Sequence, residues 1–418
     1  MNRLRVCIDA RLTDSSGGVQ QMVLGLAHGL SHLPDGREEY LFLAREGEDE
    51  WLRPHVAGPC RLMSLPPRPA PRLWRRLARA ARRRLNASPA SHRLSRRFPA
   101  GLFPPCQPPR SDGTIERAGV DLVHFTLQGA FLTEVPSIYH PHDLQHLHLP
   151  QFFTPRERRD REIIYRTFCR QARMVAVSSA WTKRDVLEQY GLPEEKVRVV
   201  PLAPPLAAYP IPTERDLAVA HAALTLPDAF LLYPAQTWPH KNHLGLLEAL
   251  ALLRRRDGIV AALVCCGQQN SFFPTIEHRA RTLGLGDQVR FTGFVSPLEL
   301  QSLYRLCRAV VVPTKFEAGS FPMWESFLAG APVACSTVTS LPEQAGDAAL
   351  LFDPDRPEEM AGAIARLWTE PALRAQLAAR GRERVAHFTW DRTVRIFRAH
   401  YRRLAGRPLT DEDQELLR

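Results

Sequence analysis

The sequence lacks the features that mark membrane-spanning, secreted and metal-binding proteins. No run of about eighteen or more apolar residues occurs, so we expect no transmembrane helix. The N-terminus opens on a strand-like segment, Leu4–Ile8, without the apolar core and cleavage site of a signal peptide, and we expect a cytoplasmic location. The eight cysteines have no metal-ligand spacing, and Cys265 and Cys266 are adjacent in an apolar run. This pattern favours buried free thiols over a redox or metal role.

Lysine is also scarce, since it supplies four of the 55 lysine and arginine residues. The formal net charge of +11 therefore comes mainly from arginine. An arginine bias with many alanines and prolines is typical of proteins encoded by GC-rich genes. We expect most of these arginines to lie at solvent-exposed positions. Taken alone, this charge does not indicate a nucleic-acid-binding protein.

Acidic residues are absent from one long segment, Trp51–Ser111, which contains an arginine- and proline-rich insertion at about 66–110. Pro66–Arg110 holds twelve arginines, and Arg72–Leu85 could form a short helix with its leucines opposite the arginines. Three interpretations stay open: a flexible surface insertion, a basic amphipathic patch on an anionic membrane, and a nucleic-acid-binding segment. The second would place the protein peripherally at the inner face of the membrane.

Strand-like and helix-like segments alternate along the rest of the chain, which predicts parallel βαβ units. A length of 418 residues suits about two or three domains. The predicted strands are Leu4–Asp9, Tyr40–Ala44, Leu122–Phe125, Ser137–Tyr139, Met174–Val177, Phe230–Tyr233, Val260–Cys266, Val289–Thr292, Ala309–Pro313, Pro332–Cys335 and Ala349–Phe352. A proline-rich linker, Pro201–Pro212, follows the first five of them. We predict two doubly wound α/β domains with ligands beyond the carboxyl ends of their strands.

A glycine pair, Gly17-Gly18, lies between the first predicted strand and a helix-like segment. Glycine lets the backbone approach a ligand closely, and a helix N-terminus favours an anion or a hydroxyl group. The pair is therefore a candidate ligand contact in the first domain.

The stretch Glu317–Glu325 follows a predicted strand and carries two carboxylates with seven residues between them. Gly319 permits a tight loop, and Ser320 is a candidate N-cap for the helix that follows. The N–H groups of that helix end would face a diphosphate or sugar hydroxyls. Each carboxylate could accept hydrogen bonds from a diol, Glu317 from one on the sugar and Glu325 from one on the ribose. The alternative is that Glu317 is a helix-start charge and Glu325 lies on a solvated face.

This stretch resembles the signature of the group 1 family of retaining glycosyltransferases, family 4 in the sequence classification. The resemblance continues through Phe327–Val333 and Leu341–Pro354, and it spans the C-terminal domain well and the N-terminal domain in patches. It implies the GT-B fold, in which two Rossmann-like doubly wound domains face a central cleft. The implied domains are an acceptor-side domain at 1–204, a nucleotide-sugar-binding domain at 205–385, and C-terminal helices at 386–418 that pack back on the first domain.

A second family element is Tyr233–Asn242, in which a basic pair neutralises the donor diphosphate in similar proteins. Lys241 matches the lysine of that pair, whereas Gln236 stands where many members carry arginine. A lysine at a helix start is unfavourable to the helix dipole, which favours a ligand role for Lys241.

In the first domain, Ser137–Leu144 resembles the family's His-Asp segment, and His142 and Asp143 align with it. In similar enzymes this segment faces the donor sugar. Two alternatives stay open for the histidines. His142 could have a structural role bonded to backbone, or a zinc ion could be bound by the run His140, His142, His146 and His148.

We therefore predict a retaining glycosyltransferase that moves a hexose, with mannose as the candidate, from a nucleotide-diphosphate sugar to a glycan or lipid-linked acceptor in polysaccharide biosynthesis. The predicted catalytic residues are Glu317, His142 and Asp143. The predicted donor-binding residues are Lys241, Gln236, Gly319, Ser320, Phe321, Glu325, Gly17 and Gly18. We expect no cofactor and no metal. The alternatives are a sugar-nucleotide epimerase of the same architecture and an arginine-rich nucleic-acid-binding protein.

Overall fold

The computed structural model describes residues 3–12, 17–33, 36–67, 105–204 and 211–418. The chain divides into two compact units. The first consists of Met1–Val177, Lys183–Val200 and Trp390–Arg418, and the second of Ser178–Thr182 and Pro201–Thr389. The predicted helix Arg72–Leu85, with most of the arginine-rich insertion, lies outside the described residues.

The first unit is built on seven parallel strands in the order β3-β2-β1-β4-β5-β6-β7. These strands are β1 Leu4–Asp9, β2 Glu38–Arg45, β3 Cys60–Leu65, β4 Leu122–Phe125, β5 Ser137–Tyr139, β6 Met174–Val177 and β7 Val197–Val199. The helices between them are α1 Gly18–Ser31, α2 Thr114–Arg117, α3 Gln145–His148, α4 Pro155–Gln171 and α5 Ala180–Tyr190. The first three residues of α5 are grouped with the second unit.

The second unit is built on six parallel strands in the order β10-β9-β8-β11-β12-β13. These strands are β8 Leu231–Pro234, β9 Leu263–Cys266, β10 Val289–Gly293, β11 Ala309–Val312, β12 Val333–Ser336 and β13 Ala349–Phe352. Its helices are α6 Glu214–Ala223, α7 His243–Asp257, α8 Phe273–Thr282, α9 Pro297–Leu306, α10 Phe321–Ala329, α11 Leu341–Ala345, α12 Pro357–Thr369 and α13 Pro371–Ala386. This strand order is that of a dinucleotide-binding Rossmann sheet.

Apolar strands and capped helices explain why these segments fold as they do. Every residue of β4, β6 and β11 is buried, as expected for parallel strands that helices cover on both faces. Helices α4 and α9 each begin with a capping box, Thr154 with Glu157 and Ser296 with Glu299. The prediction of two doubly wound α/β sheets is confirmed, and all eleven predicted strands are present. The edge strands β3 and β7 were not predicted.

The last two helices, α14 Trp390–Leu404 and α15 Asp411–Leu416, are part of the first unit. Helix α14 packs against α1 at two glycines. A Cβ atom added at Gly25 would lie 1.8 Å from Cε2 of Trp390, and one added at Gly29 would lie 2.7 Å from Cγ1 of Val394. The two glycines therefore form a groove in α1 that α14 fills.

A buried arginine joins α14 to its neighbours. Nε of Arg402 donates to Glu38 of β2 at 2.7 Å, and its Nη1 donates to Asp413 of α15 at 2.8 Å. All three residues are buried. A buried charge is tolerated when it is paired in this way, so these contacts fix the position of both C-terminal helices within the unit.

We expect Gly25→Ala to lower the free energy of unfolding by about 1–3 kcal/mol, because the added methyl group must displace the Trp390 ring. The matched control is Gly362→Ala in α12, where an added Cβ meets no atom within 4 Å. That control is expected to stabilise its helix by about 0.5–1 kcal/mol. Urea unfolding of both variants measures the difference. Effects of the same sign and size would contradict close packing of Trp390 on Gly25.

Candidate functional site

Two loops of the second unit meet where the order of its strands reverses. Strands β8 and β11 are neighbours in the sheet, while β9 and β10 continue to one side of β8 and β12 and β13 to the other side of β11. After β8 the chain passes through the 3₁₀ turn Pro239–Lys241 into α7, and after β11 it passes through 313–320 into α10. Ligands of doubly wound sheets bind at such a switch point, beyond the carboxyl ends of the strands.

The two loops are joined by an ion pair. Nζ of Lys241 lies 2.6 Å from Oε2 of Glu317, and the side chains are 22% and 16% exposed. The carbonyl oxygen of Lys241 accepts a hydrogen bond from the Tyr233 hydroxyl at 2.6 Å. The structure thus brings together the residues that sequence analysis assigned to a diphosphate and to a sugar. Their partial exposure leaves both groups within reach of a ligand.

The loop after β8 is fixed by Asn242, the N-cap residue of α7. Its backbone is left-handed, with φ +57°, and its side-chain amide donates to the carbonyl oxygens of Pro313 and Pro354 at 3.0 Å each. The hydroxyl of Thr314 also donates to the carbonyl oxygen of His240 at 3.1 Å. The segment before Lys241 is therefore tied to the segment before Glu317.

Ser320 occupies the N-cap position of α10, but its hydroxyl makes no capping hydrogen bond. The Oγ atom is buried without a hydrogen-bond partner. The Gln344 amide binds the Ser320 backbone instead: its Oε1 accepts from the N–H at 2.8 Å, and its Nε2 donates to the carbonyl oxygen at 2.7 Å. Ser320 is thus the N-cap residue, as predicted, but its hydroxyl does not cap the helix, and Gln344 fixes its backbone.

Glu325 lies within α10 and is 6% exposed. Its Oε2 accepts a hydrogen bond from the Tyr304 hydroxyl of α9 at 2.7 Å. Burial raises the pKa of Glu325, while the bond from Tyr304 acts in the opposite direction. The alternative of a solvated helix face for Glu325 is wrong, and its role toward a ribose stays a prediction. Tyr304, which lies 21 residues earlier, was not predicted as part of the site.

Three other predicted donor-binding residues of the second unit lie near this loop or near β8. Oε1 of Gln236 accepts from the Trp238 indole at 2.7 Å. Gly319 and Phe321 line a cavity of about 80 Å³ together with Trp324.

The remaining predicted site residues belong to the first unit. Gly17, with φ +63°, precedes α1, which begins at Gly18 after β1. His142 follows β5, has a left-handed backbone with φ +63°, and bonds through Nε2 to the carbonyl oxygen of Thr126 at 2.7 Å. Oδ1 of Asp143 accepts from the N–H of Gln145 at 3.0 Å. The bond of His142 to backbone fits the structural role considered for it, and the roles of these four residues toward a donor stay predictions.

The histidines of the proposed zinc run have separate partners. His140 contacts His124 at 2.8 Å, and His142 bonds to backbone. His146 contacts Glu162 at 3.1 Å, and His148 contacts Asp185 at 2.7 Å. Across the described ranges, no group of three or more His, Cys, Asp or Glu side chains is placed to hold a metal ion. The zinc hypothesis therefore has no ligand set among these histidines.

The buried histidines of the first unit predict a loss of stability in acid. Burial lowers the pKa of His124 to about 3, that of His140 well below its usual value, and that of His142 below 6.5. Between about pH 6.5 and 3 the unfolded chain binds more protons than the folded one, so the free energy of unfolding falls as pH falls. Each such histidine contributes about 1.4 kcal/mol per pH unit at most. Urea unfolding at pH 7.5, 6.5 and 5.5 measures this slope, and an unchanged or rising midpoint in acid would contradict it.

Two family models match the chain. "Glycosyl transferases group 1" matches residues 219–384, and "Glycosyltransferase Family 4" matches residues 87–203. Among curated proteins, the O-antigen chain mannosyltransferase B of Escherichia coli is 26% identical over 224 residues, which is 53% of this chain and 58% of that protein. The chain thus spans little more than half the length of this relative.

Solved structures extend the likeness to nearly the whole chain. The sucrose-phosphate synthase of Thermosynechococcus elongatus has a TM-score of 0.67 at 20% identity, covering 97% of this chain and 100% of that one. HepE of Anabaena, in complex with UDP and glucose, has a TM-score of 0.67 at 16% identity, covering 95% and 99%. At these identities the likeness concerns the fold alone. Among the residues that the structure describes, no helix has both the length and the apolar character needed to span a membrane.

Proposed function

The chain belongs to the group 1 glycosyltransferases and has the GT-B fold, and from this premise we propose that it transfers a hexose from a nucleotide-diphosphate sugar to a glycan or lipid-linked acceptor. The observation that carries the proposal is the contact of Lys241 with Glu317 at the switch point of the second sheet. A cation beside a carboxylate suits a ligand whose diphosphate needs charge neutralisation and whose sugar hydroxyls need an acceptor.

Each part of the donor has a proposed partner in the second unit. The Lys241 ammonium group and the N–H groups that open α10 would stabilise the negative charge that develops on the departing diphosphate. Glu317 would accept hydrogen bonds from the sugar hydroxyls, and Glu325 from the ribose. In this proposal no metal ion takes part.

The proposed transfer retains the configuration of the anomeric carbon. The bond from that carbon to the diphosphate oxygen breaks, and the bond to the acceptor hydroxyl oxygen forms on the same face of the sugar. The acceptor proton passes to the leaving phosphate, so the protein need not supply a nucleophile or keep the proton. Anomeric configuration of the product, read by NMR, distinguishes retention from inversion.

Mannose is the proposed sugar, in agreement with the mannosyltransferase activity that the name of the Escherichia coli relative states. A polysaccharide or lipid-linked acceptor also agrees with an O-antigen chain as that relative's product. The hypothesis of a basic membrane-contacting segment at 66–110 would bring the chain close to a lipid-linked acceptor.

A thermal-shift screen against nucleoside diphosphates and nucleotide sugars tests the donor. At a ligand concentration of about 100 times its Kd, binding stabilises the folded state by about 2.7 kcal/mol, which is a clear rise in unfolding temperature. We expect guanosine diphosphate and its mannose conjugate to raise it. A response to uridine ligands alone would overturn the mannose proposal, and no response to any nucleotide would overturn the transferase proposal.

We expect Lys241→Ala and Glu317→Gln to lower kcat/KM by about 100-fold or more, because each removes a contact to charge or hydroxyls in the transition state. The matched control is Lys183→Ala, which removes the lysine of another ion pair, with Glu194 at 3.1 Å. Activity is measured as nucleoside diphosphate released with a panel of acceptors. Unchanged turnover in either site variant would contradict the assignment. Recovery of an epimerised sugar nucleotide in place of a glycoside would support the epimerase alternative.

A further inference from the structure

Backbone strain in the second unit is concentrated beside the Lys241–Glu317 pair. Across the described ranges, four non-glycine residues have a positive φ: His142, Thr225, Asn242 and Thr339. Thr225 lies in an exposed turn just after α6, where chain reversal explains it. Asn242 follows Lys241 directly, and asparagine tolerates this conformation. Thr339, with φ +53°, also lies in a turn, closed by the Leu341 N–H donating to the Val338 carbonyl oxygen at 3.1 Å, but a β-branched residue in this region is an outlier.

The Thr339 hydroxyl holds the main chain of Glu317. Its Oγ1 accepts a hydrogen bond from the Glu317 N–H at 3.1 Å and donates to the Glu317 carbonyl oxygen. The Ser340 hydroxyl donates to that same carbonyl oxygen at 2.8 Å. Ser340 is the N-cap residue of α11, yet its side chain makes no capping bond. Both hydroxyls are therefore directed at Glu317 rather than at their own helix.

A second attachment lies three residues further along the loop. The Gln344 amide binds both the N–H and the carbonyl oxygen of Ser320. The segment 339–344 thus forms hydrogen bonds with both ends of the 317–320 loop, and Ala318 and Gly319 lie between the two attachments. Strain of this kind persists only where the surrounding contacts over-determine the conformation.

We propose that Thr339 is a positioning residue that sets the Glu317 carboxylate beside Lys241 for the donor sugar. This inference rests on the proposed function only for the identity of the ligand, because the grip on the loop exists in the free protein. The Lys241–Glu317 pair is partly exposed, so solvent weakens its hold on the loop. The Thr339 side chain supplies the restraint that the ion pair does not.

Three substitutions of Thr339 distinguish the effect of its hydroxyl group from the effect of its strained backbone. Thr339→Val keeps the branched shape and removes the hydroxyl, Thr339→Ser keeps the hydroxyl, and Thr339→Gly removes the hydroxyl together with the strain. The matched control is Thr225→Val, which makes the same change at the exposed positive-φ threonine.

The first measurement is hydrogen exchange of the 317–320 amides in the free protein, which needs no ligand. We expect faster exchange in Thr339→Val and Thr339→Gly, and wild-type exchange in Thr339→Ser and Thr225→Val. Wild-type exchange in both hydroxyl-less variants would overturn the inference whatever the chain's activity. Should Thr339→Val fail to fold, Thr339→Gly decides the point, since its backbone is unstrained.

The second measurement compares two ligands by calorimetry, guanosine diphosphate and guanosine diphosphate mannose, or the base that the thermal-shift screen selects. Thr339→Val is expected to weaken binding of the sugar nucleotide about tenfold and that of the nucleoside diphosphate less than about twofold, because Glu317 serves the sugar. Thr339→Ser restores the wild-type ratio. Equal losses for both ligands would show a merely structural role and overturn the inference. A third outcome is possible, in which the variants without the hydroxyl exchange faster but the wild-type protein binds neither ligand. That outcome would support the restraint on the 317–320 loop and contradict the proposed function.

Discussion

The ion pair between Lys241 and Glu317 joins two loops that are 76 residues apart in sequence. Both loops follow the carboxyl ends of β8 and β11, the two neighbouring strands at which the strand order of the second sheet reverses. A partly exposed pair contributes about 0–1 kcal/mol, which is too little to hold two loops in place. Their geometry therefore depends on uncharged anchors, namely the Asn242 amide on one side and Thr339 and Gln344 on the other. The charges are thereby left available to a ligand.

Strained backbone conformations also lie close to the Lys241–Glu317 pair. Two of the positive-φ residues, Asn242 and Thr339, flank the ion pair, and a third, His142, is a predicted site residue of the first unit. A side chain that must bind a backbone group from a fixed direction constrains its own φ, and the surrounding hydrogen bonds offset the strain. Strained backbone therefore lies at one predicted site residue of the first unit, His142, and next to or in contact with two of the second unit, Lys241 and Glu317.

The sequence was sufficient for the family, the GT-B fold and eleven strands, because buried parallel strands are continuous apolar runs and the signature motifs lie within single loops. Strands β3 and β7 were missed since they are edge strands with polar residues such as Arg61 and Arg198. Tyr304, Thr339 and Gln344 were missed for another reason. Each acts on a loop that lies elsewhere in the sequence, and no local pattern records a contact made through folding. The domain boundaries and the ligand roles of the site residues stay predictions.

The groove formed by Gly25 and Gly29 in α1 has a consequence for biosynthesis. The residues that fill it, Trp390 and Val394, leave the ribosome some 365 residues after the groove itself, once the whole second unit has been made. Until then the nascent first unit carries an open apolar slot, and β2 carries Glu38 without its arginine partner. The N-terminal unit therefore cannot complete its own packing until the last helices of the chain have been synthesised.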